Sequence, residues 1–130
     1  MSDENVENAR RAYAALNSRD FEAFLSLIDP EVEFRSLIAE SEGQIYRGHE
    51  GVREWWERVR GSMGGLSFEP RAIRGVGDAL VAEIIVTGEV GGVAVPQRMW
   101  QTLRFRNGQA FWWHTYRSEE EAREAAGLPR

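Results

Sequence analysis

The chain has 130 residues, 42% of them hydrophobic and 28% charged, with a net charge of −5; that is the length of one domain, spanning 1–130, with an ordinary soluble balance. An acidic chain without a clustered basic surface is a poor partner for nucleic acid, whose phosphates require one. There is no cysteine, which excludes disulfides and thiol catalysis; the opening MSDENVENARR has no apolar core and reads as no signal peptide, no apolar run is long enough to cross a bilayer, and a cytoplasmic protein without membrane contact is expected.

Residues 3–17 predict a helix, with Val6, Ala9, Tyr13 and Leu16 on one apolar stripe. Asp20 is the N-cap of a second helix. Phe21, Phe24, Leu25 and Ile28 line its buried side, and Pro30 stops it. A strand follows, with Val32, Phe34 and Ser36 on one face and Glu31, Glu33 and Arg35 on the other. Residues 37–46 read as a loop. Val52, Trp55, Trp56 and Val59 predict a third helix over 49–60, ended by Gly61 and Gly64-Gly65. Four strands come next, over 66–74, 80–90, 93–106 and 109–117. Gly91-Gly92 and Asn107-Gly108 between them are hairpin signals. Ser118 and Glu121 make a capping box for a short last helix, which Gly127 and Pro129 end. Helices ahead of a meander mean an α+β fold. The sheet needs a cover, and three helices on its concave side turn it into a cone with a pocket.

Three stretches, RRAYAALNSRDFEAFLSLIDPEVEF, YRGHEGVREWW and YRSEEEAREAAGL, resemble in their words and order the NTF2-like superfamily, and within it the SnoaL-like branch, which is similar to ketosteroid isomerases. The resemblance implies a cone-shaped, cystatin-like roll: three helices on a curved, mostly antiparallel sheet, with a short C-terminal helix. It does not fix the reaction, because the superfamily holds isomerases, cyclases, hydratases, epoxide hydrolases and proteins without known activity. In ketosteroid isomerases a helix Tyr and a protonated Asp on a late strand hold the oxyanion, and an Asp on the first strand is the base. Laid onto this chain, the base falls at Phe34, the late Asp at or near Gln101 and the Tyr at Ala12. Tyr13 is one residue further on, a turn of about 100° around a helix, so no such role is implied for it. The steroid-isomerase machinery is absent. The epoxide-hydrolase branch needs two acids bridged by an Arg on facing strands; Arg98 is available, but no Asp lies in its strand or the next.

The same alignment turns Trp112, His114 and Tyr116 into the pocket, beside Met99, Gln101 and Leu103, with Phe34 and Ser36 from the first strand, Trp55 and Trp56 from the third helix, and Tyr13. Such a lining suits a flat or bulky apolar small molecule. His114 is the sharpest catalytic candidate, since imidazole moves a proton at neutral pH; Tyr116 and Gln101 would be its hydrogen-bonding companions. The bland alternatives are a core histidine bonded to Tyr116 or backbone, and a buried amide tied to backbone. Two functions follow. One is proton transfer on an apolar carbonyl compound, of isomerase, cyclase or lyase type. The other is binding of a hydrophobic ligand without chemistry, which the lack of an acid at the base position favours. No cofactor is implied, because no glycine-rich phosphate loop is present. No metal is implied either: His49 and His114 are far apart, and His49 reads as a solvated first-turn residue. Glu31, Glu33, Glu83 and Glu89 read as solvated, although a one-residue slip would bring Glu83 into the cavity as a base. Trp100 and Trp113 are expected on the convex face, where two large exposed aromatics predict a homodimer; the alternative cover is the C-terminal tail.

Overall fold

The computed structural model describes residues 2–37, 43–62 and 64–127. In chain order they form α1 (Ser2–Asn17), α2 (Phe21–Ser26), β1 (Ile28–Ser36), β2 (Gln44–Arg47), α3 (Gly48–Ser62), β3 (Gly64–Val76), β4 (Ala79–Val90), β5 (Val93–Arg106), β6 (Gln109–Tyr116) and α4 (Glu119–Gly127). The strands make one six-stranded sheet in the order β2-β1-β6-β5-β4-β3. All pairs are antiparallel except β1 with β6, which run parallel.

Local chemistry explains the helix ends. Asp20 accepts from the Ala23 N–H at 3.2 Å and starts α2. That helix is shorter than its apolar pattern suggests: Ile28 is buried not as helix but as the first residue of β1, and Asp29-Pro30 lies inside the strand, where pairing with β6 is interrupted between Ile28 and Glu33. A proline has no N–H for a ladder, so it falls where the ladder has a gap. At the head of α3, Gly48 adopts φ +71 with its Cβ position only 3.2 Å from the Pro30 carbonyl, a conformation and a clearance that favour glycine. His49 is not simply solvated: its Nε2–H donates to the Ile28 carbonyl at 2.7 Å. The stretch read as a loop contains β2, which pairs with the end of β1; residues 38–42 lie outside the described set.

Two amides pin α1. Asn17 donates to the Phe68 carbonyl and accepts from the Phe68 N–H, both at 2.7 Å, in effect adding one rung to β3. Asn8 donates to the Gly108 carbonyl at 3.0 Å. Helices α1, α2 and α3 bury their apolar stripes against the inner face of the sheet in one cluster that includes Phe34, Ile84, Met99, Leu103 and Trp113. Helix α4 lies on the other face. Its Ala122 and Ala126 pack on Ala79 and Val81, next to Trp100 and Tyr116. Arg104 holds its end, donating to the carbonyls of Ala125 and Ala126 at 3.1 and 2.9 Å, where a cation meets the negative end of the helix dipole. Ser118 caps its start by accepting from the Glu121 N–H.

The register of β6 corrects the sequence expectation. The Asn107-Gly108 turn, with both residues at positive φ, pairs Arg106 with Gln109 and Phe105 with Ala110. Continued without interruption, that hairpin would set Gln101 opposite His114 and Thr102 opposite Trp113. Instead the next pair is Arg104 with Trp112. Phe111 is an extra residue, a β-bulge. A one-residue shift moves every later side chain to the opposite face. Trp113 and Thr115 therefore point inward, while Trp112, His114 and Tyr116 face outward. On β5 the expectation holds: Met99, Gln101 and Leu103 are inward and Trp100 outward. Trp113 is 1% exposed at the centre of the core, and Trp100 is half-buried beside α4 with the Arg98 guanidinium 4.9 Å from its ring. The pair of exposed tryptophans that argued for a dimer is not there.

Asp29 ties the start of β1 to the β5–β6 hairpin. Its carboxylate accepts from Arg106 Nε at 3.0 Å and from the Glu31 N–H at 2.8 Å. The Arg106 bond holds its pKa below the usual carboxylate range, against the opposing effect of burial. A depressed carboxylate stabilises the fold above the pKa it has when unfolded, about 3.9, and loses that contribution as pH falls through its folded value. Asp29→Asn is expected to lower the melting temperature at pH 7, with the difference from wild type shrinking below about pH 4. Thermal melts by circular dichroism across that range check it.

Candidate functional site

The inner face of the sheet is where a pocket was expected, and its lining residues touch one another. Trp113 meets Tyr13 at 5.5 Å between ring centroids, Phe24 at 5.6 Å and Phe34 at 5.9 Å. Phe34 meets Trp55 at 4.8 Å, and Trp55 meets Phe68 at 6.3 Å. Trp56 stacks on Phe21 at 5.3 Å. Tyr13, Phe34, Trp55 and Trp56 are thus brought together as expected, but as a packed interior; all are 5% exposed or less. Helical spacing on α1 and α3 and alternation on β1 deliver them to one place.

Polar groups thread this interior. Tyr13 donates to Gln101 Oε1 at 2.5 Å, and Gln101 Nε2 donates to Thr115 Oγ1 at 2.9 Å. Trp55 Nε1 donates to Ser36 Oγ at 2.8 Å. Burial pushes the Tyr13 phenol well above its ordinary pKa, so it stays a neutral donor. Tyr13, expected to be turned away from the late-strand position, reaches Gln101 directly. Trp113 Nε1 is buried without a hydrogen-bond partner. Sequence reasoning missed Trp113 and Thr115 as inward residues, because the bulge at Phe111 that turns them inward leaves no signal of its own in the sequence.

His114, Trp112 and Tyr116 gather on the outer face instead. The His114 ring stacks on Trp112 at 3.7 Å. Its Nε2–H donates to Glu33 Oε2 at 2.9 Å, and Arg47 holds the other Glu33 oxygen at 3.0 Å. Burial raises the pKa of Glu33, but the Arg47 bond and the His114 charge outweigh it and hold the group below the usual range. His114 is 6% exposed and separated from the interior by the sheet itself. Glu83 is outward, as its strand alternation implies, and pairs with Arg98 at 2.7 Å. No cluster of three or more His, Cys, Asp or Glu forms among the described residues.

Two depressions lie at the end of the sheet where β4 and β5 run past β6. A depression of about 130 Å³ is lined there by Val86, Gly88, Val90, Val95 and Gln97. A second, of about 360 Å³, is lined by Leu37, Gln97, Arg98, Met99 and Arg117. Val90, Val93 and Val95 are 56%, 62% and 41% exposed. Pairing of Val90 with Val93 and of Gly88 with Val95 puts these valines in line with Met99, on the inner face.

The chain matches the SnoaL-like domain over residues 9–113, and it belongs to that family. Solved structures with the same fold include TerC co-crystallised with polyporic acid (23% identity, TM-score 0.78, covering 96% of this chain and 99% of that one). A putative polyketide cyclase from Sinorhizobium meliloti is similar at 16% identity and TM-score 0.72, over 84% of this chain and 93% of its own. An epoxide hydrolase of the LEH-like type from Mycobacterium tuberculosis is similar at 15% identity and TM-score 0.74, over 95% and 89%. No curated protein matches the chain at a significant level. These likenesses establish the NTF2-like, ketosteroid-isomerase-like α+β roll. No helix among the described residues is long and apolar enough to cross a membrane.

Removing the Tyr13 hydroxyl leaves the Gln101 carbonyl buried without its donor. Tyr13→Phe is expected to cost about 1–3 kcal/mol of stability, the penalty of an unmatched buried group. Urea unfolding followed by tryptophan fluorescence measures it.

Proposed function

We propose that this protein binds a small apolar molecule at the wide end of its cone and carries out no proton transfer there. The observation that carries the reading is the charge content of the interior. Among the described residues the buried ionisable side chains are Tyr13, Asp29, Tyr46, Arg104 and His114; of these, Tyr13 and Tyr46 belong to the inner cluster, and burial keeps Tyr13 protonated. Proton abstraction needs a base within hydrogen-bond reach of the substrate. His114, expected to supply one, is held by Glu33 on the far side of the sheet. The Tyr13–Gln101–Thr115 chain is suited to orienting a ligand oxygen, and the valines of the rim are suited to its hydrocarbon. That TerC was crystallised with polyporic acid supports a ligand of this general kind, since the two chains share the fold over nearly their full lengths.

A thermal-shift screen with aromatic and terpenoid carbonyl compounds, followed by product analysis of each stabilising compound, tests this. Stabilisation without conversion is expected. Conversion of any of them that His114→Ala leaves intact and Gln101→Ala abolishes would sink the non-catalytic reading.

Pairing of two copies through the convex face belongs to the same proposal on narrower ground: Trp100 and Tyr116 are only half-buried beside α4, and Ile45 on β2 is 44% exposed. Sedimentation equilibrium at micromolar concentration is expected to return twice the 14.8 kDa chain mass; a single chain mass would remove the dimer.

A further inference from the structure

The exposed valines at the end of the sheet lie beside a notch in it. Pairing of β5 with β6 begins at Trp100 opposite Tyr116, whereas its pairing with β4 continues out to Val93. Residues 93–99 of β5 therefore border open space beyond the end of β6. The Gly91-Gly92 turn makes Val90 and Val93 a hydrogen-bonded pair, so odd-numbered residues of β5 bond to β4 and even-numbered ones turn their N–H and C=O toward the notch. Pro96, which has no N–H to give, falls on that side. So does Arg98, whose N–H points where no strand pairs with it.

The depression of about 360 Å³ occupies this notch. Leu37 and Met99 are its apolar lining, Gln97, Arg98 and Arg117 its polar lining, and no carboxylate of the described residues lines it. Two guanidinium groups with no acid between them stand out on a chain of net charge −5. Arg98 Nε donates to Glu83 at 2.7 Å on the outer face, a bond that uses one of the five N–H donors of a guanidinium. The Trp100 ring, 4.9 Å from the same group, helps to hold it in place. The smaller depression shares Gln97 with the notch and continues along Val86, Gly88, Val90 and Val95. Gly88 has no side chain, which leaves a trough between Val86 and Val90. From Arg98 to Val93 the strand covers five residues at about 3.3 Å each, roughly 17 Å, the reach of a medium-length acyl chain and its head group. Exposed aliphatic side chains gathered in one place mark an interaction site.

We infer that this notch and trough bind an amphipathic monoanion: a free carboxylate with an unbranched aliphatic chain of medium length. The carboxylate is received by the guanidinium groups of Arg98 and Arg117 and by the Arg98 N–H. The chain lies along Val86, Val90 and Val95. The site shares the valine rim with the binding reading above and rests on it to that extent, but its head group stays outside the cone. A cationic head would be repelled by the two arginines. A neutral alcohol would gain no charge-assisted bond from its own side. At the open rim a carboxylate keeps part of its hydration, so it escapes the cost of a buried charge.

Heteronuclear NMR titrations with octanoate and octan-1-ol, each below the concentration at which it aggregates, test this. Wild type is expected to bind octanoate roughly tenfold more tightly than octan-1-ol, the size of one charge-assisted hydrogen bond, with the preference shrinking at high salt. Arg98→Gln combined with Arg117→Gln is expected to bring the two compounds to equal affinity. Arg98→Lys combined with Arg117→Lys, which keeps both charges, is expected to retain most of the preference. Val90→Thr combined with Val95→Thr is expected to weaken both compounds by the same factor. Arg117→Gln alone, at an exposed position after the last strand, supplies the comparison if the double arginine variant does not melt cooperatively. Equal affinity of wild type for the two compounds would overturn the anionic head while leaving apolar binding intact. A preference undiminished in the glutamine variants would remove the arginine assignment, and unchanged affinities in the valine variant would remove the trough. Binding of neither compound would sink this site altogether; the binding reading then stands or falls separately, on the thermal-shift screen with carbonyl compounds.

Discussion

One extra residue in β6 governs what this protein holds inside and what it shows outside. The Asn107-Gly108 turn fixes the start of the β5–β6 ladder, and Phe111 then drops out of it. From that point the strand presents Trp113 and Thr115 to the interior. Trp113 becomes the hub of the aromatic contacts with Tyr13, Phe24 and Phe34, and Thr115 becomes the end of the polar chain through Gln101. The residues with the most obvious chemistry, His114 and Trp112, go to the other face. Parallel pairing with β1 then sets Arg35 level with His114 and Glu33 level with Trp112, which is how the histidine acquires its carboxylate. Phe111 itself is half-buried, with the Arg106 guanidinium 4.9 Å from its ring. The bulge is thus held by the same arginine that bonds Asp29.

The inner and outer faces divide the polar work between them. Outside, charges are paired: Glu33 with Arg47 and the buried His114, Glu83 with Arg98, and the buried Arg104 with the end of α4. Inside, the hydrogen-bonded polar side chains are neutral and few: one line runs from α1 through β5 to β6, and Trp55 on α3 bonds Ser36 on β1. Neutral hydrogen bonds in a low-dielectric interior hold geometry without the desolvation cost that ions carry. Under the function proposed above, that arrangement serves recognition of an uncharged group. A shared fold supplies the enclosure, while any reaction depends on a few inward positions. Here one of them is Phe34.

Much of the fold was legible in the sequence. The stripes Val6-Ala9-Tyr13-Leu16 and Val52-Trp55-Trp56-Val59 are helical repeats that need no partner to be recognised, and the caps at Asp20 and Ser118 are local chemistry confirmed by their bonds to Ala23 and Glu121. Strand β2 was not legible, because Gln44–Arg47 is too short to show alternation and exists only through pairing with β1. The site was legible by composition more than by position. Gln101, Met99, Phe34, Trp55 and Tyr13 are inward as their own elements imply, whereas His114, Trp112 and Tyr116 are not, since their facing depends on a bulge in a ladder between two strands.

The sequence by itself determined most of the elements, the hairpin at Asn107-Gly108, the α+β class and the aromatic content of the interior, because each of these follows from local periodicity, turn chemistry or the residues available. Only the tertiary structure decided which face each β6 side chain takes, that Tyr13 meets Gln101, that α4 covers the outer side, and that the histidine is paired with Glu33 rather than facing the interior. Those outcomes depend on cross-strand registration, where a single unpaired residue reverses inside and outside, and no local pattern records that reversal.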